Sequence, residues 1–598
     1  MTAKFQNVKN KARFVTPLLF CALHPCRPIE VFCMKDTANI EKFLINCNTF
    51  QIIFIIFSIF FFTFALVTEH RETMETRRYP VDTQTFSTIV EGNYVYVDKT
   101  DLVYKMTHDY RYVFLSRPRR FGKSLLCSTL DEYFNGNRDL FKGLKIDGLE
   151  KDWTQYPVLH IDFSNDKSND LKSIKTTISD KLTEYENTFG ITEIAYNFNL
   201  RLSKIVKTAY EQSNNHVAII IDEYDAYMLN AINNDALQDE IRTQMSDLFS
   251  PLKQLEPYIR FVFITGITKF SQMSIFSTLN NLQDISLMAE FETICGISHD
   301  EMMTVLKPDI QNFAEKNGYT FEDTVRYFKA KYDGYNFSPE MRGVFNPFSV
   351  IKAFNDKQLN DYWFNSGTPS ALLKLISKFD LQMEDFDGVE CSASRFNQPV
   401  EKVTDLVPFL FQSGYLTIKN YKSVNYGIVP TSVYTLGYPN DEVRAALADS
   451  LFKNYYKIDD TMPLRNAYFD FYVNDDIDKF IKALQKFFRK FPFSLNNMNE
   501  KHYHSILYTV LTSFSADISA NQETALGKSD LILKMPKTVY VIELKYDRSL
   551  DSAADQIDDR DYVSAVLDSN KRIVKLAIKF SSKNRNIESY EATEEKVS

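Results

Sequence analysis

The chain has 598 residues, 44% hydrophobic and 25% charged, with a formal net charge of -9. That length allows about three or four domains with sizeable cores, and the composition is that of a globular protein. The acidic balance excludes nucleic-acid affinity carried by bulk charge and leaves only a local basic patch to supply it. Seven cysteines without paired spacing exclude a disulfide framework or a cysteine metal site, so a reducing compartment is the default.

Residues 50–67, FQIIFIIFSIFFFTFALV, run for eighteen positions without a charge, the lower edge of what spans a bilayer as a helix. They lie too far from Met1 for an ordinary signal peptide, and no small-residue cleavage site follows them. Residues 1–48 show no sustained periodicity. The expectation is that residues 1–73 are an upstream extension and that a cytoplasmic folded protein begins at Met74. The alternative is a single-pass membrane anchor through residues 50–67.

Residues 94–105, YVYVDKTDLVYK, alternate like a strand and run into a helix start, with Asp98 or Thr100 available as its cap. This stretch is expected near a nucleotide base, because it lies just upstream of a phosphate-binding pattern. Residues 112–129, YVFLSRPRRFGKSLLCST, read as an apolar strand, a basic loop and a helix opened by Gly122-Lys123-Ser124. That is the context of a P-loop: backbone N–H groups surround phosphates, Lys123 reaches the β/γ-phosphates and the Ser124 hydroxyl holds Mg²⁺. Arg120 belongs to the same phosphate-binding stretch. Arg117 stands where the general pattern has its first Gly, and an ordinary basic loop before a helix is the alternative.

Residues 158–163 (VLHIDF) read as a further strand, followed by helices around 171–185 and 200–211. Then VAIIIDEYD places Asp222 and Glu223 at the end of a buried-strand signal. An acid in that position holds Mg²⁺, and an adjacent Glu polarises the attacking water. A helix around 236–252 and a strand at 259–267 complete a mostly parallel, doubly wound sheet. At the end of that last strand, Thr265 or Thr268 either touches the γ-phosphate and its water or merely bonds backbone in a turn.

In this order RPRRFGKS, the preceding VDKT, IIIDEYD, ITGITKFSQMSIFS, YDGYNF with NPFSV, and FQSGYLTI resemble the AAA-ATPase-like family of P-loop NTPases. The resemblance runs from about Met74 to the C-terminus and includes Arg117 in place of Gly. It implies ATP and Mg²⁺ as ligands and a C-terminal domain of the PD-(D/E)xK nuclease superfamily.

The expected fold is α/β in three parts: a P-loop sheet domain at 74–296, a mostly helical middle region at 297–475 and a restriction-endonuclease-like domain at 476–598. In the middle region Ser298 is a helix cap. A helix at 405–412, strands at 414–418 and 433–436 and a helix at 441–455 suit a small winged-helix-like unit. Such a unit binds DNA or packs as a lid, and the absence of a basic cluster favours packing.

In the last part, helices at 476–488 and 500–513 precede SDLILK and TVYVIELKY. Period-2 alternation puts Glu543 and Lys545 on one face of their strand. There Glu543 and Asp530 can share Mg²⁺ or Mn²⁺, which activates water for phosphodiester cleavage, while Lys545 positions it or stabilises developing charge. A hairpin with a surface salt bridge is the bland reading. These residues resemble the D…ExK core of the nuclease superfamily, with Gln556 in a following helix and Glu500 as the candidate further acid. DNA or RNA and a second copy of the chain are the candidate partners. The functional expectation is an ATPase coupled to a metal-dependent nuclease; the alternative is a nucleotide-binding regulator whose nuclease fold is a binding module.

Overall fold

The computed structural model describes residues 77–595 apart from 165–169, 233, 270–278, 280, 366–371, 373–374, 376–381, 401–403, 426–427, 492–498, 524–527 and 550–570. Residues 50–67 and Gln556 therefore lie outside the described residues, and among those described no helix is long and apolar enough to cross a membrane.

Five parallel strands form the first sheet: β1 (Tyr112–Ser116), β2 (Val158–Asp162), β3 (Val217–Asp222), β4 (Ile259–Gly266) and the short β5 (Gln283–Asp284). Their spatial order is β2-β3-β4-β1-β5, so β4 is inserted between the P-loop strand and the acidic strand. Every residue of β1 and β3 is buried, as expected for strands covered on both faces by helices. Burying side chains such as Ile219, Ile220 and Ile221 contributes roughly 1.5–3 kcal/mol each. The helices Leu171–Thr188, Phe198–Ser213 and Asp235–Phe249 fall where the periodicity puts them.

One local expectation fails. Residues 94–99 make no strand: Tyr94 forms only an isolated bridge with Arg78. The chain there is consumed by side-chain bonds, since Asp98 Oδ1 accepts from the Thr100 amide (2.9 Å) and hydroxyl (2.6 Å), and its Oδ2 accepts from the Lys145 amide (2.7 Å). The helix Thr100–Asp109 starts directly after.

In the middle region β6 (Ile297–Ser298) pairs with β7 (Val344–Phe345), and Ser298 forms a full capping box with Glu301. The helix Leu406–Gln412, strands β9 (Thr417–Val424) and β10 (Thr431–Gly437) and the helix Asp441–Asn454 follow the expected order. A third strand, β8 (Val389–Cys391), joins the edge of β10. The last sheet has the order β11-β12-β13-β14-β15, comprising Asp517–Glu523, Lys528–Lys534, Thr538–Tyr546, Arg572–Ser581 and Asn586–Glu595. All pairs are antiparallel except β13 with β14. The described chain from Arg78 onward is one compact unit; a large apolar cluster runs from Phe86 to Ile587, and a separate one gathers Ile297, Met302, Phe313, Phe328 and Val350 in the middle region.

Candidate functional sites

The phosphate loop owes its shape to two left-handed residues, Arg120 (φ 65°) and Gly122 (φ 91°). A Cβ on Gly122 would meet nothing within 4 Å, so the space before the helix Lys123–Phe134 is open. Arg117, in contrast, is buried, and it clamps rather than cradles. Its Nη1 donates to the carbonyls of Ser116 (3.0 Å) and Ser286 (2.7 Å), and its Nη2 to that of Phe291 (3.1 Å). The guanidinium stacks on Phe337 with 4.1 Å to the ring centroid, and burial pulls its pKa down to about 10.

Behind the loop stands a collar from the middle region. Phe121 packs edge-on against Tyr335 (4.7 Å) and Phe337 (5.7 Å). Arg120 lies over Phe348 at 4.8 Å, and Trp363 Nε1 donates to the Arg119 carbonyl at 2.9 Å. A Cβ on Gly414 would sit 2.6 Å from the Pro118 side chain, which is why that position is bare. The YDGYNF, NPFSV and FQSGYLTI stretches thus converge on RPRRF. Their role as a collar was missed in the sequence, where only their aromatic and glycine content signalled it.

At the mouth of the loop, Lys123 Nζ donates to the Pro118 carbonyl at 3.1 Å. Burial raises the pKa of the Asp222 carboxyl, and the neighbouring Ser124 hydroxyl and the Lys123 charge hold it back. Glu223 follows in a left-handed conformation (φ 50°), its amide tied to Asp222 Oδ1 at 2.9 Å. Burial also raises the Glu223 carboxyl, with Lys123 opposing. Asp225 faces the other way: it accepts from the Ile267 amide (3.1 Å) and from the Thr268 amide and hydroxyl (2.7 Å each). Thr265 Oγ1 donates to the Leu115 carbonyl at 2.8 Å. Of the two readings for these threonines, the geometry has both engaged inside the protein. Beside Gly122 opens a cavity of about 540 Å³, bordered by Asp82, Gln84, Val97, Lys99, Leu126 and Ile294. Val97 and Lys99 of the VDKT stretch thus line the same cavity as Arg120 and Gly122 of the loop.

The second centre is built on β12 and β13. Leu531 pairs with Ile542, so the next step outward brings Asp530 alongside Glu543. Asp530 Oδ2 accepts from the Leu544 amide at 2.8 Å. Glu543 is fully buried; its Oε1 accepts from Lys545 Nζ at 2.8 Å, while its Oε2 is buried without a hydrogen-bond partner. Burial first and the Asp530 charge second push the Glu543 carboxyl up to about 7, and burial also raises Asp530. An orphaned buried carboxylate oxygen beside a second carboxylate suits a cation. Glu500 stands near the pair but spends Oε2 on the Tyr546 amide at 3.0 Å. Among the described residues no group of three or more His, Cys, Asp or Glu is arranged to hold a metal. A divalent ion here would complete its shell with water or substrate oxygens, as Mg²⁺ commonly does with one or two carboxylates.

A P-loop on a parallel sheet with an acidic strand one place removed from it, joined to a mixed sheet presenting D…ExK, defines a P-loop NTPase fold combined with a nuclease-type fold. Comparison with known proteins agrees. Residues 80–276 match the AAA-ATPase-like family model, described as a predicted AAA-ATPase, and residues 498–590 match that of the PD-(D/E)XK nuclease superfamily. A protein of Azotobacter chroococcum mcd 1, described as an uncharacterized protein in the vnfD 5' region, is 30% identical over 529 residues, covering 86% of this chain and 98% of the relative. The chain belongs to this family of AAA-ATPase-like proteins carrying a C-terminal PD-(D/E)XK nuclease superfamily domain.

Proposed function

We propose that the protein is an ATP-hydrolysing AAA-type ATPase coupled to a metal-dependent nuclease-like domain acting on nucleic acid, with working parts at 74–296, 297–475 and 476–598. The observation that carries the reading is the loop after β1 that runs through left-handed Gly122 into the helix opened by Lys123 and Ser124, with the buried Asp222 ending β3 and its carboxyl influenced by both side chains. Mg²⁺ bound with ATP would neutralise the triphosphate. Lys123 exchanges the Pro118 carbonyl for the β/γ-phosphates, Gly122 and the helix N-terminus offer backbone N–H groups, and Glu223 takes the proton of the attacking water. Arg120 borders both the loop and the cavity, which has the size of a small-molecule pocket and room for the nucleoside.

At the second centre Asp530 and Glu543 would hold Mg²⁺ or Mn²⁺, which would supply an activated water. Lys545 stays next to Glu543 and offers its charge to the developing phosphorane oxygens. Coupling is supported by one segment, 384–397: Glu384 bonds to the helix Glu500–Ser513, and Asn397 bonds to Lys269, three residues beyond the end of β4. The test is cleavage of DNA or RNA by the purified chain with Mg²⁺ or Mn²⁺. Asp530→Ala or Glu543→Ala should stop it while ATP hydrolysis continues, and Lys123→Ala should stop it too if the ATPase gates the nuclease. ATP hydrolysis with no nucleic acid cut under any metal and nucleotide condition would leave the nuclease fold as a binding module.

A further inference from the structure

The helix Glu500–Ser513 carries a buried histidine that neither centre uses. His504 lies four residues after Glu500, on the same helix face. Its Nε2 is 2.9 Å from the Asp530 carbonyl oxygen, and its Nδ1 is 3.2 Å from Glu384 Oε1. A carbonyl only accepts, so Nε2 carries the hydrogen and donates to Asp530. Asp530 is then held twice, through its backbone by His504 and through Oδ2 by the Leu544 amide.

Glu384 reaches this helix from far outside the strands of the centre, on the short turn Met383–Phe386. It is buried, and its Oε2 accepts from the Ser505 hydroxyl at 3.1 Å. The same turn meets the helix at two further points: Lys501 pairs with Asp385 at 3.8 Å, and the Tyr508 hydroxyl donates to Asp387 at 3.3 Å. Residues 501, 504, 505 and 508 form one helical face, so the turn grips the helix along a line and fixes the imidazole plane.

We propose that His504 is a positioning residue of the nuclease-like metal centre, aiming Asp530 through its backbone, and that Glu384 sets the orientation of His504. This rests on the reading of Asp530 and Glu543 as a metal pair. Partners that orient metal-holding groups are worth about 10–100-fold in affinity when removed.

The test is Mn²⁺ binding to the full chain without nucleotide or nucleic acid, followed calorimetrically, with thermal unfolding and ATP binding measured on each variant. The wild type should bind an ion that Asp530→Ala and Glu543→Ala lose. His504→Ala should weaken it about tenfold. His504→Gln, whose amide N–H takes the place of Nε2–H, should recover most of the affinity, and Glu384→Ala should weaken it severalfold. Mn²⁺ affinity unchanged in folded His504→Ala and Glu384→Ala, or equally weak in His504→Gln and His504→Ala, overturns the proposal and leaves the metal pair standing. Mn²⁺ binding indifferent to Asp530 and Glu543 overturns the metal pair, and the proposal with it. If His504→Ala does not fold, the comparison of His504→Gln with Glu384→Ala decides.

Discussion

The two centres of this chain are made in opposite ways. The phosphate loop is a run of adjacent residues whose shape is set by its own backbone, through Arg120 and Gly122, and stiffened from behind by the clamp of Arg117. The nuclease-like centre has no such local unit. Asp530 and Glu543 come from different strands, and the groups that steady them come from a helix and from a turn more than a hundred residues upstream. A local site tolerates change at a distance and fails at its own residues; a dispersed one is expected to fail at its supports as well.

The largest effect that tests this contrast is at Glu223. Glu223→Gln should keep Mg·ATP binding, because Ser124 and Asp222 are untouched, and lower the hydrolysis rate by about 10²–10⁴, the usual worth of a general base. Steady-state turnover beside nucleotide titration checks it; unchanged turnover would move the base elsewhere.

Next is the clamp. Arg117→Gly would restore the general P-loop pattern, yet it should destabilise the protein by about 3 kcal/mol, since buried carbonyls at Ser116, Ser286 and Phe291 would lose their donor. Urea unfolding measures this. A neutral or stabilising result would show that the loop does not depend on its guanidinium. A smaller loss belongs to Lys123→Ala: about 2 kcal/mol of Mg·ATP affinity, roughly thirtyfold, for one charge-assisted contact to phosphate. Nucleotide titration reads it, and full affinity would remove Lys123 from the site.

The same contrast explains what the sequence made legible. GKS and IIIDEYD are contiguous, and a buried strand ending in acids or a Gly-Lys-Ser helix start has a local physical signature. Strand alternation likewise placed Glu543 and Lys545 on one face. The collar was not legible, because nothing local says that Gly414 must be bare for Pro118 or that Phe337 lies under Arg117. Nor was Glu384, whose partner is 120 residues away. The expected strand at residues 94–99 failed because alternation says nothing of Asp98, whose side chain takes three donors from helix and loop instead. Strands β11, β14 and β15 were also unread; their partners, not their own pattern, complete the sheet.

The smallest effect concerns the joint between the two centres. Glu442 opens the helix Asp441–Asn454 and is fully buried, accepting from the Trp363 amide at 2.7 Å and from the Ser349 hydroxyl at 2.8 Å. Through Trp363 it stands one residue from the bond to the Arg119 carbonyl of the phosphate loop. Burial raises its carboxyl to about 7, with the Trp363 and Ser349 bonds and Lys331 opposing and Asp361 adding to the rise. The folded chain therefore holds this proton more tightly than the unfolded chain, in which the group titrates near 4.5. Its stabilising contribution is complete below about pH 4.5 and is lost as the pH rises through about 7, at roughly 1 kcal/mol per pH unit where steepest. Other carboxyls titrate in the same window, so the quantity to measure is a difference. Unfolding free energy from pH 4.5 to 8 should fall more steeply in the wild type than in Glu442→Gln, which cannot release the proton. Parallel curves would mean that Glu442 is ionised in the folded chain across that range, and that the joint behind the phosphate loop is held by a charge rather than by a neutral hydrogen-bonded acid.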